Sequence, residues 1–211
     1  MTRIVLLRGV AWPAFASSMT AGMLVGVAGL LMVNVSSTLL LASCALFAAA
    51  AGVLLDEQAS EVADVTPAIG RQMRYRATLL TAPLVAGCAL AVAAPTHAGG
   101  QSPGLLLSFS GAPIMAFTIA RMLRRSSGLP GALAGIAATA VLVVPTELGH
   151  LSPIQTFPAG TGVRPVVGPA AWWLFGDALA LALLSLSVRR LRALQAFLGF
   201  TARKLFVATQ P

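Results

Sequence analysis

The chain alternates long apolar runs with short polar breaks. A run of about twenty apolar residues is long enough to cross a bilayer as a helix. On that measure the pattern predicts an all-α, polytopic membrane protein with six transmembrane helices, near 14–33, 38–55, 77–94, 104–120, 131–144 and 170–188. The breaks between them differ in character. Asn34 to Ser37 is a tight polar turn, 95–103 is a charge-free polar loop, and 126–130 is a short loop. Pro83 lies inside the third run and predicts a kink, and Pro113 lies inside the fourth. Residues 1–13, with Arg3 and Arg8 flanking Ile4 to Leu7 and ending at Trp12-Pro13, read as a short interfacial helix. The stretch 145–169 is too apolar for a free loop and too rich in Gly and Pro for a span, and reads as short helices re-entering the outer interface. The tail 189–211 mixes Arg189, Arg190, Arg192, Arg203 and Lys204 with Leu191, Leu194, Phe197, Leu198 and Phe206, the pattern of an amphipathic helix on a membrane surface.

Composition agrees with this pattern. Of the 211 residues, 57% are hydrophobic and 9% charged, against about 25% charged in soluble domains. The net charge of +8 does not point to nucleic acid, because the arginines cluster at the ends of apolar runs, where they act as orientation signals. With the N-terminus inside, every Lys and Arg except Arg164 faces the cytoplasm. That imbalance predicts both termini cytoplasmic, and the alanine-, valine- and arginine-rich composition fits the plasma membrane of a high-GC bacterium. Cys44 and Cys88 lie inside apolar runs and read as small hydrophobes.

One segment stands apart. Residues 56–76 carry four of the six acids, Asp56, Glu57, Glu61 and Asp64, followed by Arg71, Arg74 and Arg76. Glu57 and Glu61 are four apart and Asp64 three further on, which in a helix makes one acidic face. Thr66-Pro67 would end that helix. The functional reading is a docking handle for a soluble partner. The plain reading is a solvated connector whose arginines fix topology. Asp177 is the one ionisable residue placed inside a span, where a carboxylate costs about 3 kcal/mol at the bilayer centre. Counted from Trp172-Trp173 it falls in the outer half. It reads as a pathway or gate residue, or as a partner for Arg164, or simply as a carboxyl at a packed interface or wet rim. Gly22-x-x-x-Gly26 and Gly131-x-x-x-Gly135 have the spacing that lets another helix approach closely. No Gly-Lys pair of a nucleotide-binding loop occurs, nor does His-x-x-x-His or Cys-x-x-Cys spacing for a metal, and His97 and His150 read as loop residues.

The layout resembles the membrane subunits of ABC exporters of the ABC-2 permease type, small actinobacterial kind. The segment LLDEQASEVADVTPAIGRQMRYRA resembles an acidic, Thr-Pro, arginine pattern found there. The resemblance implies an elbow helix at 1–13, a coupling helix at 56–76 seated on an ATPase, and re-entrant outer helices at 145–169. It further implies a soluble ABC ATPase partner that holds ATP and Mg and does any hydrolysis, a second permease copy or homologue as dimer partner, and no cofactor bound by this chain itself. The chain departs from that family in being small, with short loops and no large outer domain. Two other readings stay open. A non-transporting anchor or assembly subunit would use the arginine clusters to hold anionic lipid. A small membrane enzyme is opposed by the near absence of catalytic residue types from the spans.

Overall fold

The computed structural model describes residues 10–56, 75–94, 103–123, 130–147, 171–179 and 182. Among these the chain is all-helical, with no strand. The elements are α1 (Trp12–Leu31), a 3-10 turn (Val33–Val35), α2 (Ser36–Val53), α3 (Tyr75–Ala93), α4 (Pro103–Leu123), α5 (Pro130–Glu147) and α6 (171–179). Four helices, α1 to α4, are long and apolar enough to cross a membrane, and α5 contributes a shorter apolar stretch, Pro130–Val143. The elbow region 1–9, most of the re-entrant stretch and the amphipathic tail lie outside the described residues.

Local chemistry sets where these helices start and bend. Trp12 and Pro13 open α1 instead of closing a separate elbow. Proline is at home in the first helical turn, where its missing N–H would have no partner anyway. In α3, Pro83 cannot donate to the carbonyl of Leu79. The regular helix is interrupted by a turn at Leu80, whose carbonyl accepts a long bond of 3.4 Å from the Leu84 N–H. Pro113, by contrast, sits within an uninterrupted α4. The Ser108, Ser110 and Thr118 hydroxyls of α4 donate back to carbonyls three or four residues earlier, which satisfies them within the helix.

Helices α2 and α4 form the centre. Helix α2 touches α1, α3, α4 and α5. Leu40, Cys44 and Phe47 of α2 pack with Leu105 and Phe109 of α4 and Leu142 of α5, all fully buried. The Phe47 and Phe109 rings are 6.2 Å apart, and the Cys44 thiol donates to the Ser108 carbonyl at 3.3 Å. On the outside, α1 presents Leu24, Val27 and Leu31, α3 presents Val85 and Val92, and α5 presents Ile136. Helices apolar both inside and outside suit a solvent that is itself apolar.

The inner stripe of α1 is Gly22, Gly26 and Gly29, all buried. A methyl group on Gly26 would overlap the Leu90 side chain and come within 2.8 Å of Ser43 Oγ. The absence of side chains there brings α1 close enough for Ser43 of α2 to donate to the Gly22 carbonyl at 2.7 Å. Interhelical hydrogen bonds in membrane proteins contribute about 0.6 kcal/mol on average. Replacing Ser43 by Ala is therefore expected to lower the stability of the bundle by about that amount. Thermal unfolding in detergent checks it, and a loss of several kcal/mol would mean the hydroxyl does more than join these two helices.

Candidate functional site

Two places in the bundle bring polar chemistry to a helix seam. The first is where α2 ends and α5 begins. Helix α2 runs out at Val53, a turn follows through Leu54 and Leu55, and Asp56 then folds back against the bundle, 9% exposed. Its Oδ1 accepts the Gly131 N–H at 2.5 Å and its Oδ2 accepts the Ala132 N–H at 3.1 Å. The carboxylate thus caps the N-terminus of α5 from a distance of 75 positions in the chain. The residue before Pro130 is Leu129, which has no side-chain oxygen to do this locally.

Electrostatics at this junction pull two ways. Burial raises the Asp56 carboxyl above its ordinary range, and the backbone bonds from Gly131 and Ala132 pull it back down, with burial the larger effect. The partial positive charge at the start of a helix also favours an anion there.

The seam beside Asp56 is built backbone to backbone. A Cβ on Gly131 would overlap the Gly52 carbonyl and lie 2.8 Å from Asp56 Cγ, and one on Gly135 would lie 3.2 Å from Ala49 Cα. An open groove of about 470 Å³ follows this seam, lined by Ala49, Val53, Ala132, Ile136, Val143 and their neighbours, with Thr139 as its one polar side chain. It offers shape and an apolar wall, with little to recognise a polar ligand.

The second place is the contact of α6 with α4. Trp173 is 1% exposed, and a Cβ on Gly111 would overlap its ring. The same hypothetical Cβ would lie 3.1 Å from Asp177 Oδ1. That oxygen is buried and accepts no hydrogen bond from the described residues. Gly111 is the ninth of 21 residues in α4, about 3 Å along the axis from its midpoint. Asp177 therefore lies against the half of α4 that begins at Pro103, a little short of its midpoint.

The residues singled out from sequence are distributed as follows. Gly22 and Gly26 face α2 and α3, and Gly131 and Gly135 face α2. Asp56 joins α2 to α5, and Asp177 lies against α4. Glu57, Glu61, Asp64, Arg71, Arg74 and Arg164 lie outside the described residues. Arg76 is fully buried at the start of α3. Among the described residues no three His, Cys, Asp or Glu side chains are grouped so as to hold a metal ion. The capping role of Asp56 and the pairing of Gly52 with Gly131 and of Gly111 with Trp173 were not visible in the sequence pattern. The one available signal was a helix beginning Leu-Pro-Gly without a capping side chain. Compared with protein-family models, curated proteins and solved structures, the chain matches none.

Proposed function

We propose that the chain is the membrane permease subunit of an ATP-driven exporter, with six spans and both termini on the cytoplasmic side of a bacterial plasma membrane. A soluble ABC ATPase holding ATP and Mg would seat on the segment 56–76. A second permease copy or homologue would complete the substrate path. The observation that supports this best is how the segment is fastened. At its first residue, Asp56 is tied to α5 through two hydrogen bonds as it leaves α2. At its last, Arg76 is fully buried as α3 begins. A force on the intervening residues would reach three helices at once.

In this reading Asp56 is the anchor of the segment, while Glu57, Glu61 and Asp64 present charge to the ATPase and Arg71 and Arg74 flank them. Affinity capture of the full chain from native membranes should recover an ATPase with a nucleotide-binding loop. Reversing the three acids together (Glu57→Lys, Glu61→Lys, Asp64→Lys) should reduce that recovery by about tenfold or more, since each like-charge contact in an interface costs heavily. Equal recovery from the triple variant would remove the docking face. Capture of a stable complex containing no ATPase would favour an anchoring subunit.

A further inference from the structure

We propose that Asp177 is a proton-binding site near the middle of the membrane, a carboxylic acid kept neutral in a notch between α6 and α4. The notch exists because Gly111 has no side chain. Trp173 fills one part of the space over that glycine, and Asp177, one turn later on the same helix, reaches the rest with Oδ1. Gly111 lies about 12 Å along α4 from Pro103, and the hydrocarbon core is about 30 Å thick. The carboxyl therefore meets α4 far from either headgroup layer.

Oδ1 has no water access and no hydrogen-bond donor among the described residues. On the described helices the other titratable or charged groups are Cys44 on α2, Tyr75, Arg76 and Cys88 on α3, Arg121 on α4 and Glu147 on α5. The Cys44 thiol already donates to the Ser108 carbonyl. Arg121 is ten residues along α4 from Gly111, about 15 Å away along the axis. An ionised oxygen without a counter-charge or donor is strongly disfavoured in an apolar interior, and holding a proton removes that charge. Ionisable groups in such positions mark ion or proton routes in membrane proteins. The inference goes beyond the ATPase-docking reading and needs no partner subunit.

The probe is N,N′-dicyclohexylcarbodiimide, which enters lipid and reacts with neutral carboxylic acids. The carboxyl oxygen bonds to the central carbon of the reagent and the acid proton moves to one of its nitrogens. The adduct therefore carries the whole mass of the reagent, with no leaving group. Full-length protein in native membranes is expected to be labelled at Asp177, as located by peptide mass spectrometry. Labelling should grow as the medium is made more acidic. A water-soluble carbodiimide should label Asp177 about tenfold less, because it does not partition into hydrocarbon. Asp177→Asn should abolish the adduct. Absence of the adduct from the wild type in acid, with cytoplasmic acids labelled by the soluble reagent, overturns the proposal. So does a several-fold rise in labelling on Arg164→Ala, which would mean that Asp177 is held as a carboxylate by that arginine.

Discussion

Gly131→Leu is expected to destabilise the bundle by about 3 kcal/mol or more, the upper end of what overpacking a tight interior costs. The first atom of any side chain at this position would overlap the Gly52 carbonyl and crowd the Asp56 carboxylate. Both obstacles are poorly able to yield. One is backbone in the last turns of α2, and the other is held by the very N–H groups that the new side chain would displace. The substitution therefore acts twice, separating two helix backbones and undoing the cap. Gly176→Leu is the matched control, because a Cβ there meets no atom of the described residues within 4 Å. Chemical or thermal unfolding of both variants in the same detergent gives the comparison. If they lose similar stability, the backbone contact between α2 and α5 is not what holds this seam.

Asp56→Ala is expected to cost about 2 kcal/mol, within the range for leaving buried donors unpaired. It strands the N–H groups of Gly131 and Ala132, and Leu129 cannot replace the lost acceptor. Asp56→Asn keeps the shape and one acceptor oxygen, and its cost is expected to stay within about 1 kcal/mol. The pair also separates charge from capping. In the folded chain burial raises the Asp56 carboxyl above its ordinary 3.8, so the folded state binds the proton more tightly than the unfolded state does. The stability tied to that proton is fully present below 3.8 and is lost as pH rises through the elevated value. Wild-type protein should therefore lose stability between acid and neutral pH at this site, and Asp56→Asn, which has no proton to lose, should show a smaller change. A variant with an unchanged or steeper pH dependence would contradict the assignment of burial as the dominant influence on this carboxyl.

How much of this was legible in the sequence depends on the range of the interaction. The four long helices were, because each is a continuous apolar run whose length is its own signal. Their edges shifted by one to three residues, as at Trp12-Pro13, since proline tolerates the first turn of a helix. Pro83 signalled a break in α3, and the structure places it three residues earlier, at Leu80. The glycines announced close approach, but spacing alone does not name the helix that approaches. That Gly131 meets Gly52, and Gly111 meets Trp173, depends on how distant segments pack. Asp56 was grouped with the acids that follow it, whose chemistry it shares. Its carboxylate is instead engaged at another helix, a link that no local pattern encodes. Asp177 lies against the half of α4 that begins at Pro103, on the side of the 95–103 loop, in keeping with the outer half that counting from the aromatic pair gives.

The span between Asp56 and its helix also dictates an order of events as the chain emerges from the ribosome. Helices α1 and α2 are joined by a turn of a few residues and can pair as soon as both are made. The start of α5 takes its cap from a carboxylate synthesised 75 positions earlier. That carboxylate must stay uncommitted while α3 and α4 are threaded in, so α5 is the late arrival, and errors in this protein's biogenesis should gather at its N-terminus.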